Sequence, residues 1–120
     1  MKNLLKSIFT LLMIMVSYQT NASSQYSSRI TSLHTVQNSD GSSLTYFALD
    51  TSNPRSTLPA CTSNPIWVIN TSSAMSDIAK SQVSLLLMAF SMGRPINVIG
   101  MGVCNFYPGI ETASDIWVTN

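Results

Sequence analysis

Side chains able to carry out catalysis are few in this chain. His34 is the only histidine, and the five carboxylates are scattered through turns and element ends, with no i,i+3 or i,i+4 pair on the predicted helix. A Ser-His-Asp triad would have to use a mid-strand histidine, and no serine lies in a nucleophile-elbow context. We therefore expect a non-enzymatic protein without a cofactor. A hydrolase with dispersed residues is a distant alternative.

The first 22 residues have the pattern of a secretory signal peptide. Lys2 and Lys6 form a basic segment, residues 8–16 an apolar stretch, and Thr20 and Ala22 the small residues that precede a cleavage site. The apolar stretch is shorter than the roughly 20 residues of a spanning helix. We predict cleavage after Ala22 and export, periplasmic or extracellular, with no membrane span once the leader is removed. A retained membrane anchor is the weaker alternative.

Residues 23–120 are enough for a single domain with one modest core. Without Lys2 and Lys6, four cationic side chains stand against five anionic ones, a formal net charge of −1. Nucleic-acid binding requires a basic patch, which this part of the sequence lacks. Nucleic acid is therefore not expected as a partner.

Cys61 and Cys104 are the only cysteines. With one histidine they cannot supply four Cys and His ligands for zinc, so no metal site is expected. An even cysteine count in an exported domain favours a single disulfide. Such a bridge would stabilise the fold by about 4 kcal/mol in the chain-entropy model.

Hydrophobic patterning and turn residues predict five strands, over residues 30–36, 44–50, 66–70, 95–103 and 113–120. One helix is predicted between the third and fourth strands, with Ser72 or Ser73 as N-cap and Gly93 as the left-handed C-terminal residue. The order β-β-β-α-β-β predicts a mainly β protein with one helix, an OB-fold-like five-stranded Greek-key barrel. A helix packed on an open antiparallel sheet is the alternative.

The predicted helix carries two apolar stripes. The stripe expected in the core comprises Met75, Ile78, Ala79, Val83, Leu86, Ala89 and Phe90. Leu85, Met88 and Met92 form a second stripe beside it. Either the helix is unusually deeply buried, or the second stripe contacts another subunit, in which case these residues form an oligomer interface.

Gly100 and Gly102 follow a strand but are not followed by a helical pattern. A phosphate-binding loop needs its glycines before a helix N-terminus, whose amides face the anion. We therefore interpret both glycines as marking a bulge or a close backbone contact.

Aromatic side chains lie in or beside the predicted strands and loops. They are Tyr26, Tyr46, Trp67, Phe106, Tyr107 and Trp117. Tyrosine and tryptophan rings beside Ser, Thr and Asn side chains suit the flat apolar faces of sugars. Tyr26 and Tyr107 are candidate ligand-binding residues on this ground, whereas Trp67 and Trp117 are expected in the core.

Four segments resemble a known family in order and spacing. They are ITSLH at 30–34, YF at 46–47, CTSNPIW at 61–67 and LLMAFSMGRPINV at 86–98. The set resembles the B subunits of subtilase cytotoxin and of typhoid-type, pertussis-like toxins. It is also similar to small bacterial exported proteins of unassigned function that share the helix, turn, strand and Gly-x-Gly-x-Cys succession.

The resemblance implies an OB-fold, assembly into a homo-oligomeric ring of five, and binding of sialylated glycans. Ser27 or Ser28 corresponds to the glycan-binding serine of the toxins if a one-residue gap is allowed. Two departures affect this inference. Ala48 stands where the toxins have a cysteine after the YF pair, and Gly100 stands where they have a sugar-contacting tyrosine.

These observations predict an exported binding domain of the toxin-B-subunit type that recognises a glycan or a partner protein. The alternative is a small periplasmic or secreted structural or interaction protein without a glycan site.

Overall fold

The computed structural model describes residues 21–40, 43–71 and 77–120. They form six strands and one helix, in the order β1 Ser24–Ser28, β2 Ile30–Gln37, β3 Ser43–Leu49, β4 Trp67–Ile69, α1 Asp77–Met92, β5 Ile96–Gly100 and β6 Glu111–Val118. The prediction of a mainly β chain with one helix is thereby confirmed for these residues. Most of the predicted leader (residues 1–20), both candidate N-caps and Met75 lie outside the described residues.

The sequence predicts five strands, but the described chain has six, because the serine-rich segment before β2 is itself a strand. β1 has the sequence SQYSS and shows no apolar alternation. Polar contacts hold it in place instead. The buried Gln25 side chain donates hydrogen bonds to the backbone carbonyls of Asp50 at 2.9 Å and Asn53 at 3.0 Å. Hydrophobic periodicity does not detect a strand of this kind.

The strands form one mixed sheet in the order β1-β5-β6-β4-β3-β2. β4 and β6 pair in parallel, and the other neighbours pair antiparallel. β1 and β2 are the two edges of this order, yet only Arg29 separates them in the chain. The two edges of the sheet therefore approach each other at Arg29, whose carbonyl accepts a hydrogen bond from the Asp50 N–H at 2.9 Å.

The core lies between the sheet and a narrow stripe of α1. Ala79, Leu86 and Ala89 are the buried helix residues, and Val83 packs against them. The expectation that Ile78 and Phe90 belong to this core is wrong, since their side chains are 71% and 48% exposed. The helix meets the sheet mainly through Leu86 and two alanines, so its contact is narrower than the apolar pattern suggests.

The structure confirms the roles predicted for Gly93 at the helix end and for Gly100 at a close backbone contact. Gly93 follows α1 with φ +62°, the left-handed conformation expected at a helix end. At Gly100, where the β5–β6 register shifts, an added Cβ would overlap the Glu111 carboxylate and lie 2.9 Å from the Trp67 ring. Gly100 therefore permits a close contact between β5 and the buried start of β6.

Cys61 and Cys104 form the predicted disulfide, with their Cα atoms 6.0 Å apart. The bridge joins the loop before β4 to the loop between β5 and β6. Within the described residues, no helix is both long and apolar enough to cross a membrane.

Candidate functional site

An exposed pair of aromatic rings lies on the outer face of the sheet. The rings of Tyr26 in β1 and Trp117 in β6 are arranged edge to face, with centroids 6.2 Å apart and an interplanar angle of 63°. Tyr26 is 50% exposed and Trp117 39%. The prediction that Trp117 lies in the core is therefore wrong, whereas Trp67 is fully buried as expected. Ile116 and Val118 take the inward positions of the β6 alternation, which directs Trp117 outward.

Ser27 lies next to this pair in a strained backbone conformation. It has φ +49°, whereas the other described positive-φ residues are glycines. A β-bulge between Gln25 and Ser28 places it there. A non-glycine residue in the left-handed region costs about 1–3 kcal/mol and persists only where its surroundings enforce it. Such strain is a reason to look for function at this position.

Two asparagine side chains hold Ser27 in this conformation. The Ser27 N–H donates to Asn97 Oδ1 at 2.7 Å, and Asn53 Nδ2 donates to the Ser27 carbonyl at 3.0 Å. Asn97 is itself buried and pairs with Trp117 across β5 and β6. The backbone polar groups of Ser27 are thus bonded within the protein, and its side chain lies at an exposed position.

Ser28, the other serine predicted as a ligand-binding residue, is fully buried. Its hydroxyl lies 3.1 Å from the Tyr26 carbonyl and 3.3 Å from the Asn53 carbonyl, and donates to them. Ser28 therefore stabilises the bulge and is not available to a ligand. Of the two candidates, only Ser27 is exposed.

Tyr107 lies in a different element from Tyr26 and Ser27. The β1–β5 register places Ser28 opposite Ile96, at the start of β5, whereas Tyr107 belongs to the loop that follows β5. Tyr107 forms a bridge with Ile110 and is 44% exposed. Tyr26 and Ser27 are thus neighbours in β1, whereas Tyr107 belongs to a separate loop.

Sequence reasoning did not identify Asn53, Asn97 or Trp117 as part of this surface. Strand alternation could have shown that Trp117 is exposed, because it shares a face of β6 with the charged residue Asp115. The two asparagines gave no signal, because their roles depend on a bulge that the sequence does not show.

The second apolar stripe of α1 is partly exposed. Leu85 is partly buried, and Met88 and Met92 are 44% and 65% exposed. Ile78 lies on the same side of the helix at heptad spacing from Leu85 and Met92. A groove of about 390 Å³ between α1 and β6 adjoins this stripe and includes Ile78, Leu85 and Ile116 in its lining.

A buried ionic cluster lies where β6 begins. Glu111 is fully buried and forms an ion pair with Arg55, which enters from the loop before β4. Glu111 Oε1 accepts hydrogen bonds from the backbone N–H groups of Ser23 at 3.1 Å and Gly102 at 3.0 Å, and Oε2 accepts from the Ser23 hydroxyl and Arg55. Ser23 precedes β1, Arg55 lies in the loop before β4, and Gly102 lies in the loop after β5. Glu111 therefore joins three separate chain segments to the start of β6.

Arg55 is held on one face of its guanidinium plane and along its edge. Its Cζ atom lies 3.5 Å from the centre of the Trp67 ring, and its Nη1 donates to the Ile66 carbonyl at 3.2 Å. Burial lowers the pKa of Arg55 below its usual value, while the hydrogen bond and the charge of Glu111 oppose that shift. A pair with this many hydrogen bonds is costly to break from one side.

His34 lies on the surface and stacks on Tyr46, its cross-strand neighbour, at 5.4 Å between ring centroids. Within residues 21–40, 43–71 and 77–120, no group of three or more His, Cys, Asp or Glu side chains is placed to hold a metal ion.

Comparison of the chain with models of protein families, with curated proteins and with solved structures finds no match.

Proposed function

We propose that this protein is an exported, non-enzymatic binding domain that recognises a glycan through Tyr26, Ser27 and Trp117. The observation that carries the proposal is the strained Ser27, held by Asn97 and Asn53 beside two exposed rings. Nothing in the described fold requires a serine there, since glycine would take the same φ without strain.

The chemistry of the surface suits a sugar. The C–H faces of a pyranose pack on aromatic rings, and Tyr and Trp combine such an apolar face with a polar group. The Ser27 hydroxyl can both donate and accept a hydrogen bond. No charge–charge contact is needed, which agrees with the low content of charged residues.

We further propose an OB-type barrel, in which β1 and β2 are the two halves of one bent first strand. Counted this way the chain has five strands, with α1 between the third and the fourth. Three features support this assignment. The sheet edges approach each other at Arg29, the third and fifth strands pair in parallel, and β1 pairs with β5 while β2 pairs with β3.

The proposal includes assembly into a homo-oligomer, a ring of five if the resemblance to toxin B subunits extends to quaternary structure. The partial exposure of Leu85, Met88 and Met92 supports an interface on this face of α1. Export, with removal of residues 1–22, is supported by the leader pattern and by the disulfide.

A glycan array tests the proposed function. We expect the protein purified after export to bind a restricted set of glycans, and the Trp117→Ala variant to lose about two- to tenfold in affinity, since an aromatic contact contributes about 0.5–1.5 kcal/mol. Phe106→Ala is the matched control, because Phe106 is 40% exposed but lies in the loop after β5. Equal binding by wild type and Trp117→Ala would contradict the site.

The alternative is a structural or interaction protein without a sugar site. The partly apolar groove between α1 and β6, which adjoins the exposed stripe of the helix, favours it. An array without any saturable binding, from a protein shown to be folded, would make this alternative the working hypothesis.

A further inference from the structure

Ser23 is the first buried residue of the described chain. It is fully buried, while Asn21 and Ala22 are exposed. Its N–H donates to Glu111 Oε1 at 3.1 Å, and its carbonyl accepts from the Gly100 N–H at 2.8 Å. Both backbone groups of Ser23 are therefore fixed against β5 and β6.

The change from exposed to buried falls at the bond where the leader pattern predicts cleavage. The prediction came from small residues at positions 20 and 22. The burial of Ser23 and its contact with a carboxylate come from the fold. These two observations are independent and coincide between Ala22 and Ser23.

We infer that removal of the leader creates an α-ammonium group on Ser23 that pairs with the buried Glu111 carboxylate. This inference rests on the proposed export and cleavage. Hydrolysis breaks the Ala22–Ser23 amide bond, water adding its hydroxyl to the Ala22 carbonyl carbon and a proton to the Ser23 nitrogen. At neutral pH the new amine takes a further proton from solvent, since an unperturbed α-amino group has a pKa of about 8.

The ammonium is a stronger partner for Glu111 than the amide it replaces. The amide N–H already donates to an ionised acceptor, and the ammonium adds the attraction between two opposite charges in direct contact. The space vacated by the exposed Ala22 leaves the remaining ammonium protons open to water.

Among the described residues, the charged groups that contact Ser23 are Glu111 and Arg55. Arg55 bonds the other carboxylate oxygen, Oε2, so the two cations bind different atoms of Glu111. The α-ammonium is in direct contact with the carboxylate and reaches Arg55 only through the Ser23 hydroxyl. Burial and the charge of Arg55 lower the pKa of the α-amino group, whereas the carboxylate in direct contact raises it. We expect the carboxylate to dominate and the pKa of the α-amino group to rise.

Competitive amine labelling of the exported protein tests this inference. The full chain is produced with its own leader, the mature N-terminus is established by intact mass, and the rate of acetylation is followed against pH. Lys80 is the only lysine beyond residue 6, so the mature chain has two amines and Lys80 serves as the internal reference. We expect the pKa of the Ser23 amine to lie about one unit or more above its value in the same protein unfolded in urea.

Two variants show whether Glu111 causes the shift in the pKa of the Ser23 amine. Glu111→Gln should lower the pKa of the Ser23 amine to its unfolded value or below it, since burial and Arg55 then act unopposed. Asp115→Asn, which removes an exposed carboxylate from the same strand, should not change it. Should Glu111→Gln fail to fold, the comparison of native and urea-unfolded wild type still decides the matter.

The outcomes separate the inference from the proposed function. A chain that starts at Ser23 with an unshifted pKa overturns the inference and leaves export standing. A mature chain that starts at another residue also overturns it, because Ser23 then either keeps its amide or is removed with the leader. A protein retained in the cell with its leader intact refutes the proposed export as well.

Discussion

The Asn97 side chain accepts a hydrogen bond from the Ser27 N–H at 2.7 Å, and through it β5 fixes the one described non-glycine residue with a positive φ. Asn97 is buried and lies opposite Trp117 on β6. One residue of β5 thus holds the strained serine with its side chain and is the ladder partner of Trp117.

Ser27→Gly should stabilise the protein while weakening ligand binding. Glycine adopts φ +49° without a Cβ clash, so we expect a gain of about 0.5–1 kcal/mol in the free energy of unfolding. Urea denaturation measures the gain, and binding to an array-positive glycan measures the loss. Ser27→Ala keeps the strain and removes only the hydroxyl, so its stability should stay near wild type. Binding by Ser27→Ala at wild-type strength would show that the hydroxyl has no role.

Gly100→Ala should destabilise the fold strongly, because a Cβ there displaces the Glu111 carboxylate from its partners. Disturbing a buried ion pair from one side costs about 3 kcal/mol. Gly109→Ala is the control, since its Cβ would meet nothing within 4 Å and its φ of +81° costs only about 1 kcal/mol. Equal losses in the two variants, measured by thermal unfolding, would mean that the contact with Glu111 is unimportant.

Replacing both cysteines with serine, Cys61→Ser with Cys104→Ser, should lower the free energy of unfolding by about 4 kcal/mol in the chain-entropy model. The two residues are separated by 43 positions and the bridge ties together two loops. Chemical denaturation with and without reductant measures the loss. A reduced wild-type protein as stable as the oxidised one would contradict this role.

Met88→Glu should convert an oligomer to a monomer without unfolding it, because a charge placed on the exposed stripe opposes subunit contact. Light scattering on a sizing column measures the mass, and circular dichroism confirms the fold. Leu87→Glu is the matched control: Leu87 is 54% exposed but lies about 100° around the helix from Met88. A wild-type protein that is already a monomer would contradict the proposed subunit interface.

The sequence was a partial guide where apolar periodicity decided the structure. Trp67, Leu86 and Ala89 are buried as the pattern predicts, whereas Ile78 and Phe90 of the same stripe are exposed. It was a poor guide wherever polar contacts decided it. β1 is held by the side-chain amide of Gln25, and β6 begins at the buried carboxylate of Glu111. Hydrophobic periodicity detects neither feature.

The candidate site could be predicted only in part for the same reason. Tyr26 and Ser27 were identified from residue type and from a resemblance. Trp117 was assigned to the core because its neighbours are apolar, although alternation along β6 turns it outward. The roles of Asn53 and Asn97 arise from a bulge in β1 and become visible only when the strands are paired.

The most direct measurement follows the two indole N–H resonances of the protein by NMR while glycans are added. The chain has two tryptophans, and Trp67 is fully buried beneath Arg55, so it reports on the fold while Trp117 reports on the surface. Lactose, sialyllactose and N-acetylglucosamine are suitable first probes, followed by any array-positive glycan. We predict a saturable shift of the Trp117 resonance with little change at Trp67. Saturable binding that leaves the Trp117 resonance unmoved would contradict the proposed site.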